Sequence, residues 1–367
     1  MQYENIKNNQ KKDIRIINIL KGILIFLVLY GHSIQYGSGN EFLNNGGYWF
    51  DPIMKLIYSF HMPLFMSVSG YLMYYSVERH GLLNSVLTRI TRFLPIFATW
   101  SVILCLLDYF IKGKSFLFKR FIYYFFTDFW FLWAIVFCAI VLFFVEVINN
   151  KLNINRKFDI FYYLIVSLIL LVLFFISPDF YVFASYKYMF PYYLVGYLYA
   201  KHNFSFLHRK AFGFSMLLLW ILLLFKFNYE TYIYTTGITL LQKENKFYQL
   251  FINIYRYSIG FFGSFSCCFI VYNIDNLLQK FSSGKIVAVI RSIFEYLGKQ
   301  SLSIYILSTY LYDRYLPIIT TGFTPNYFII FIETIVILCL CLLIAKIISC
   351  SKILTRIIIG ANIAKRR

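Results

Sequence analysis

Apolar residues fill this chain in long unbroken runs, and short polar or basic patches separate one run from the next. Ten such runs lie at approximately 16–36, 53–76, 93–111, 129–148, 160–177, 183–200, 212–228, 257–278, 301–319 and 326–349. Each approaches the roughly 20 residues that carry a helix across the hydrocarbon core. Stretches such as Ile160 to Ile176 and Ile329 to Ile348 are apolar on every side. The alternation of a membrane barrel is therefore missing, and continuous helices are the form that satisfies the backbone in lipid. The pattern predicts an all-α fold, a polytopic transmembrane bundle of about ten helices. No fixed-period repeat, Gly/Ser linker or low-complexity tract breaks it. The expected organisation is an N-terminal cytoplasmic segment 1–15, a transmembrane domain 16–349 and a basic cytoplasmic tail 350–367.

Composition strengthens this reading: 60% of the 367 residues are hydrophobic and only 14% charged, far from the balance of a soluble domain. The first run follows Lys7, Lys11, Lys12 and Arg15 like the start of a signal peptide. No small-residue cleavage site follows Tyr30-Gly31-His32-Ser33, so it is read as the first membrane helix. Seven cysteines fall mostly inside the runs without C-x-x-C spacing, which points to apolar packing and to no zinc site.

The net charge of +19 could suggest nucleic acid, but its distribution fits a membrane instead. With the N-terminus cytoplasmic, 22 of the 35 Lys and Arg fall in inside segments and ten in outside loops or the outer ends of the adjoining runs. Both termini are then expected inside, in a multi-pass protein of the cell membrane. Two outside loops, Lys112 to Arg120 and Lys226 to Arg256, carry four basic residues each against this trend. The first of them, with Phe116, Lys119, Arg120, Tyr123 and Phe125, has the composition of a segment lying flat at the interface.

Ionisable groups inside a span are costly and are candidates for function. Lys21 and His32 are eleven residues apart, about 20° past three full turns, so they share a helix face with Asn18 at an axial separation of about 16 Å. Lys21 could equally snorkel to lipid phosphates, and His32 could cap a helix end. His61, in Ser59-Phe60-His61-Met62-Pro63, is expected at a similar depth on the next helix. An imidazole there suits a general base; a structural bond to a backbone carbonyl freed by Pro63 explains it as well. Arg89 and Arg92, three apart before Pro95, present two guanidiniums on one helix face. They fit the phosphates of a nucleotide-bearing donor, or anionic lipid headgroups.

These segments together resemble the acyltransferase family 3 of integral membrane O-acyltransferases, in particular its fucose 4-O-acetylase-like branch. The resemblance rests on Asn18 to Gly22 with His32, on Phe60-His61-Met62-Pro63-Leu64-Phe65 with Ser69-Gly70-Tyr71-Leu72, and on Arg89 and Arg92 with Pro95. It continues in Trp130 to Ala134, Phe190 to Tyr197 and Gly298 to Tyr305. It departs from the family pattern at Asn18, where Asp is usual, and at Ser308, where His is frequent. The resemblance implies a cytoplasmic acyl-CoA donor, commonly acetyl-CoA, no metal, and an acceptor hydroxyl on a surface or lipid-linked glycan. It also implies His32 as catalytic base, His61 beside it, and Lys21, Arg89 and Arg92 as donor-binding cations.

Two other classes compete with this one. A non-enzymatic transporter or flippase for lipid-linked sugars would need paired, interrupted helices with inward charges, whereas here the ionisable groups concentrate in the first two helices and their exit. An inactive member of a polysaccharide assembly complex would look the same in sequence. No G-x-S-x-G elbow or H-E-x-x-H site supports another acyl-transfer chemistry.

Overall fold

The computed structural model describes residues 2–113, 118–155, 158–179, 182–202, 209–241, 243–280 and 285–360; Phe116 and the last seven residues of the tail lie outside them. Among the described residues all regular structure is helical. The helices of ten residues or more are α1 (Gln2–Gly37), α2 (His61–His80), α3 (Leu82–Lys112), α4 (Phe118–Thr127), α5 (Trp130–Lys151), α6 (Asp159–Phe175), α7 (Phe183–His202), α8 (Lys210–Leu224), α9 (Lys246–Lys280), α10 (Lys285–Tyr310) and α11 (Tyr327–Ile348). Five stretches, Ile14–Gly37, Leu82–Phe110, Trp130–Lys151, Lys246–Leu277 and Tyr327–Ile348, are long and apolar enough to cross a membrane. The fold is that of an integral membrane protein.

Two helix boundaries depart from the hydropathy runs for physical reasons. Helix α3 begins at Leu82, just after Gly81 at φ 79°, so the arginine pair sits well inside a helix rather than at its entry. Helix α10 begins at Lys285 and gives way to a π-helical turn, Leu311–Tyr315. Pro317 follows in the next short helix. It has no N–H to bond back into the preceding turn, and a widened turn is one way to absorb that loss.

The chain divides into two compact units. Unit 1 comprises Met1–Phe65, Ser205–Asn228 and Ile259–Thr355; unit 2 comprises Met66–Phe204, Tyr229–Ser258 and Arg356–Arg367. In unit 1, α1 packs chiefly on α10, with α11 against both. A Cβ added at Gly22 would run into the Phe294 carbonyl, and one at Gly298 into the Asn18 carbonyl. The two backbones therefore touch, the close approach that small residues allow between helices in lipid. On this same pair of helices Glu295 takes Arg15 at 3.2 Å and Lys299 at 2.7 Å. The Lys299 hydrogen bond, with the Lys299 and Arg15 charges, holds the Glu295 carboxyl below the usual carboxylate range.

Unit 2 repeats the device. Gly70 on α2 lies against the Tyr193 carbonyl and Gly196 on α7 against that of Ser67. Two of its basic residues are internal struts. Lys187 pairs with Asp179 at 2.6 Å, while the other Asp179 oxygen accepts the Ile238 and Thr239 N–H groups. Arg256, only 1% exposed, donates to the carbonyls of Thr231, Gly237, Glu230 and Tyr232. Arg256 thus belongs to the packing of a loop whose basic count ran against the charge trend.

Candidate active site

Helix α1 runs unbroken through both Lys21 and His32, so the same-face relation read from their spacing stands. Lys21 precedes Gly22, and is therefore fixed where α1 meets α10. His32 is half-buried. Its ring lies between Tyr36, at 6.0 Å between centroids, and Tyr312, at 5.5 Å. Gln35 is a polar side chain beside it. The His32 Nδ1 atom is buried and has no hydrogen-bond partner among the described residues.

Tyr312 comes from the π-helical turn and is fully buried. Its hydroxyl shares a 2.9 Å hydrogen bond with Ser33 Oγ, and Thr334 Oγ1 of α11 lies 2.9 Å from the same Ser33 oxygen. One buried hydroxyl chain thus ties α1, the π turn and α11 together at the level of His32. Glu333, next to Thr334, packs its carboxylate against Gly37, where a Cβ would collide with it.

His61 opens α2 and is 3% exposed. Its position is built from the preceding turn. Asp51 caps the helix Pro52–Tyr58 by accepting the Ile53 and Met54 N–H groups, with Pro52 at the first position, where its missing donor costs nothing. Ile57 in that helix offers its carbonyl to His61 Nδ1 at 2.8 Å. A carbonyl only accepts, so Nδ1 carries the proton. The carbonyl is the one four residues before His61, not one released by Pro63. The His61 ring stacks obliquely on Tyr58 at 4.6 Å. His32 lies within electrostatic range of the His61 ring.

In unit 2, Arg89 donates to the Ser85 carbonyl at 2.8 Å and lies beside the Tyr193 hydroxyl. Arg92 uses Nε on the Gly360 carbonyl at 2.6 Å. Trp100, two turns on, donates to the Ile358 carbonyl at 2.9 Å. The segment after the short helix Lys352–Ile358 is thereby pinned along α3. Among the described residues no carboxylate lies within ion-pair distance of either arginine.

Of the residues that depart from the family pattern, Ser308 is buried and bonds to the Tyr305 carbonyl of its own helix. Asn18 contributes its backbone to the contact with Gly298. Tyr312, Glu333 and the Gly360 carbonyl were not foreseen from sequence. Glu333 did carry a signal, being a carboxyl inside an apolar run; Tyr312 carried none.

A bundle of membrane-length apolar helices carrying imidazoles within unit 1 and, separately, an arginine pair within unit 2 defines the class as an integral membrane protein. The chain belongs to the acyltransferase domain family, whose profile matches residues 14–350. It is 30% identical over 189 residues to the nodulation protein NolL of Mesorhizobium japonicum, covering 49% of this chain and 46% of that protein. It is 37% identical over 87 residues to the nodulation protein NolL of Sinorhizobium fredii, covering 24% of this chain and 23% of that protein. The matches span less than half the length of either relative. No solved structure matches the chain.

Proposed function

We propose that this protein is a membrane O-acyltransferase that moves an acetyl or other short acyl group from cytoplasmic acyl-CoA to a hydroxyl of a cell-surface or lipid-linked glycan. The observation that supports this reading is the buried His32 Nδ1, which has no hydrogen-bond partner among the described residues, in a ring suited to act as base. Membership of the acyltransferase family supplies the reaction class.

In the proposed reaction, His32 accepts the proton of the acceptor hydroxyl as its oxygen attacks the thioester carbonyl. The C–S bond breaks, and the departing thiolate takes that proton from the His32 imidazolium to leave as free coenzyme A, which returns the ring to its neutral form. Lys21, nearer the cytoplasmic end of the same helix face, balances negative charge on the donor, and Arg89 and Arg92 take phosphates. His61 supports the histidine layer. The site lies in the cell membrane with both chain termini inside.

The test uses sealed membrane vesicles of known orientation from the producing cells, which hold the natural acceptor. Labelled acetyl-CoA is supplied to the cytoplasmic face, and the envelope glycan is analysed by mass spectrometry with and without the protein. An added acyl mass that depends on the protein is the expected result. Identical glycan masses in the two preparations overturn the proposal.

A further inference from the structure

Glu333 stands out among the ionisable groups that the mechanism leaves unused. It lies seven residues into α11, inside the apolar stretch Tyr327–Ile348. Both carboxylate oxygens are buried, and neither has a hydrogen-bond partner among the described residues. No Lys, Arg or His of the described residues pairs with it, and no group of three metal-ligating side chains includes it there. A buried carboxyl without partners is costly in hydrocarbon and is retained only against a compensating gain.

Its surroundings belong to the histidine layer. Thr334 joins the Ser33 and Tyr312 hydroxyl chain, and Tyr312 both packs on the His32 ring and feels the Glu333 charge. Gly37, against which the carboxyl rests, is five residues beyond His32 on α1, a rise of about 7.5 Å. Two buried polar groups thus flank one tyrosine, His32 Nδ1 and the Glu333 carboxylate, and neither has a hydrogen-bond partner among the described residues.

We propose that Glu333 is an acceptor-binding residue: its carboxylate receives hydrogen bonds from hydroxyls of the glycan while a neighbouring hydroxyl meets His32. This rests on the acyltransferase reading above. A carboxyl offers acceptor oxygens whether or not it is ionised, and a polyhydroxylated sugar offers several donors on adjacent carbons to meet them. Two fixed acceptors a short distance apart then select which hydroxyl reaches the base. A side chain that rejects molecules lacking the matching donor gives strong discrimination, because an unmatched ligand leaves it unpaired again.

The experiment compares cells producing wild type, Glu333→Gln, Glu333→Asp and His32→Ala at matched levels. It reads the acyl load of the surface glycan, the thermal stability of each purified protein, and the dependence of vesicle turnover on acetyl-CoA concentration. Glu333→Gln is expected to lower the acyl load at least tenfold with the donor KM unchanged and stability equal to or above wild type, and Glu333→Asp to recover part of the activity. A wild-type acyl load in Glu333→Gln overturns the proposal. So does a loss of stability that tracks the loss of activity, since that marks a structural carboxyl. If His32→Ala abolishes acylation while Glu333→Gln does not, only this inference fails; if wild type itself adds no acyl group, the acyltransferase reading falls with it.

Discussion

Replacing Arg92 separates a donor-binding arginine from a lipid anchor. Its Nε is already committed to the Gly360 carbonyl at 2.6 Å, so the guanidinium is held by one side and the proposed phosphate contact falls to its two terminal nitrogens. Arg92→Lys keeps the charge but has a single ammonium, which cannot hold that carbonyl and also grip a phosphate through two parallel bonds. Losing one charge-assisted hydrogen bond costs about 1.5–3 kcal/mol, which corresponds to roughly 10- to 150-fold weaker donor binding. Arg92→Ala should be weaker still, because it also leaves the Gly360 carbonyl without its donor. The assay is equilibrium binding of acyl-CoA to purified protein, alongside the donor KM in sealed vesicles, since KM equals Kd only when chemistry is slow. Acceptor dependence should stay as in wild type, the phosphates being on the donor alone. Unchanged acyl-CoA affinity in Arg92→Ala and Arg89→Ala, with normal protein abundance, would refute the reasoning and return the pair to a headgroup contact.

Three further outcomes are expected. His32→Ala should lower turnover by about 10² to 10⁴ while retaining acyl-CoA binding and membrane insertion, as measured by single-turnover transfer and ligand binding on the same preparation. His61→Ala removes the ring that bonds the Ile57 carbonyl, so it should reduce membrane abundance and lower the melting temperature by a few degrees; normal abundance with lost turnover would assign it to chemistry instead. Gly298→Leu forces a side chain into the Asn18 backbone and should abolish stable accumulation, whereas Ser308→Ala, which loses only a bond within its own helix, should accumulate normally on a membrane immunoblot.

The helical character of the chain was legible because lipid permits few backbone solutions, but of the ten runs expected, five stretches of the described residues are helices long and apolar enough to cross a membrane. The ends were less legible. Helix α3 starts before its apolar run because Leu82 to Arg92 is helical without being uniformly apolar, and hydropathy measures only the latter. The motif residues were recognisable as a set, yet several of them earn their place by packing rather than chemistry: Gly22, Gly70, Gly196 and Gly298 are the contact points of two helix crossings. Lys21, His32 and His61 were found because a charge or imidazole in an apolar run is conspicuous. Tyr312 was not, since tyrosines are abundant here and its position depends on a π turn that no local pattern announces. Arg256 was misleading in the count of loop charges, because a sequence does not reveal that a cation's partners are main-chain carbonyls.

The hydrogen bond from His61 to the Ile57 carbonyl divides labour between the two imidazoles. An amide oxygen cannot give a proton back, so His61 is locked in one tautomer, with its lone pair on Nε2 alone. Any proton it takes must arrive at that single nitrogen and leave from it. His32 Nδ1 has no backbone tether of this kind among the described residues, and the polar neighbour of its ring is the Gln35 side chain. In the proposed acyl transfer the proton relay therefore falls to His32, whose ring must end each turnover as it began.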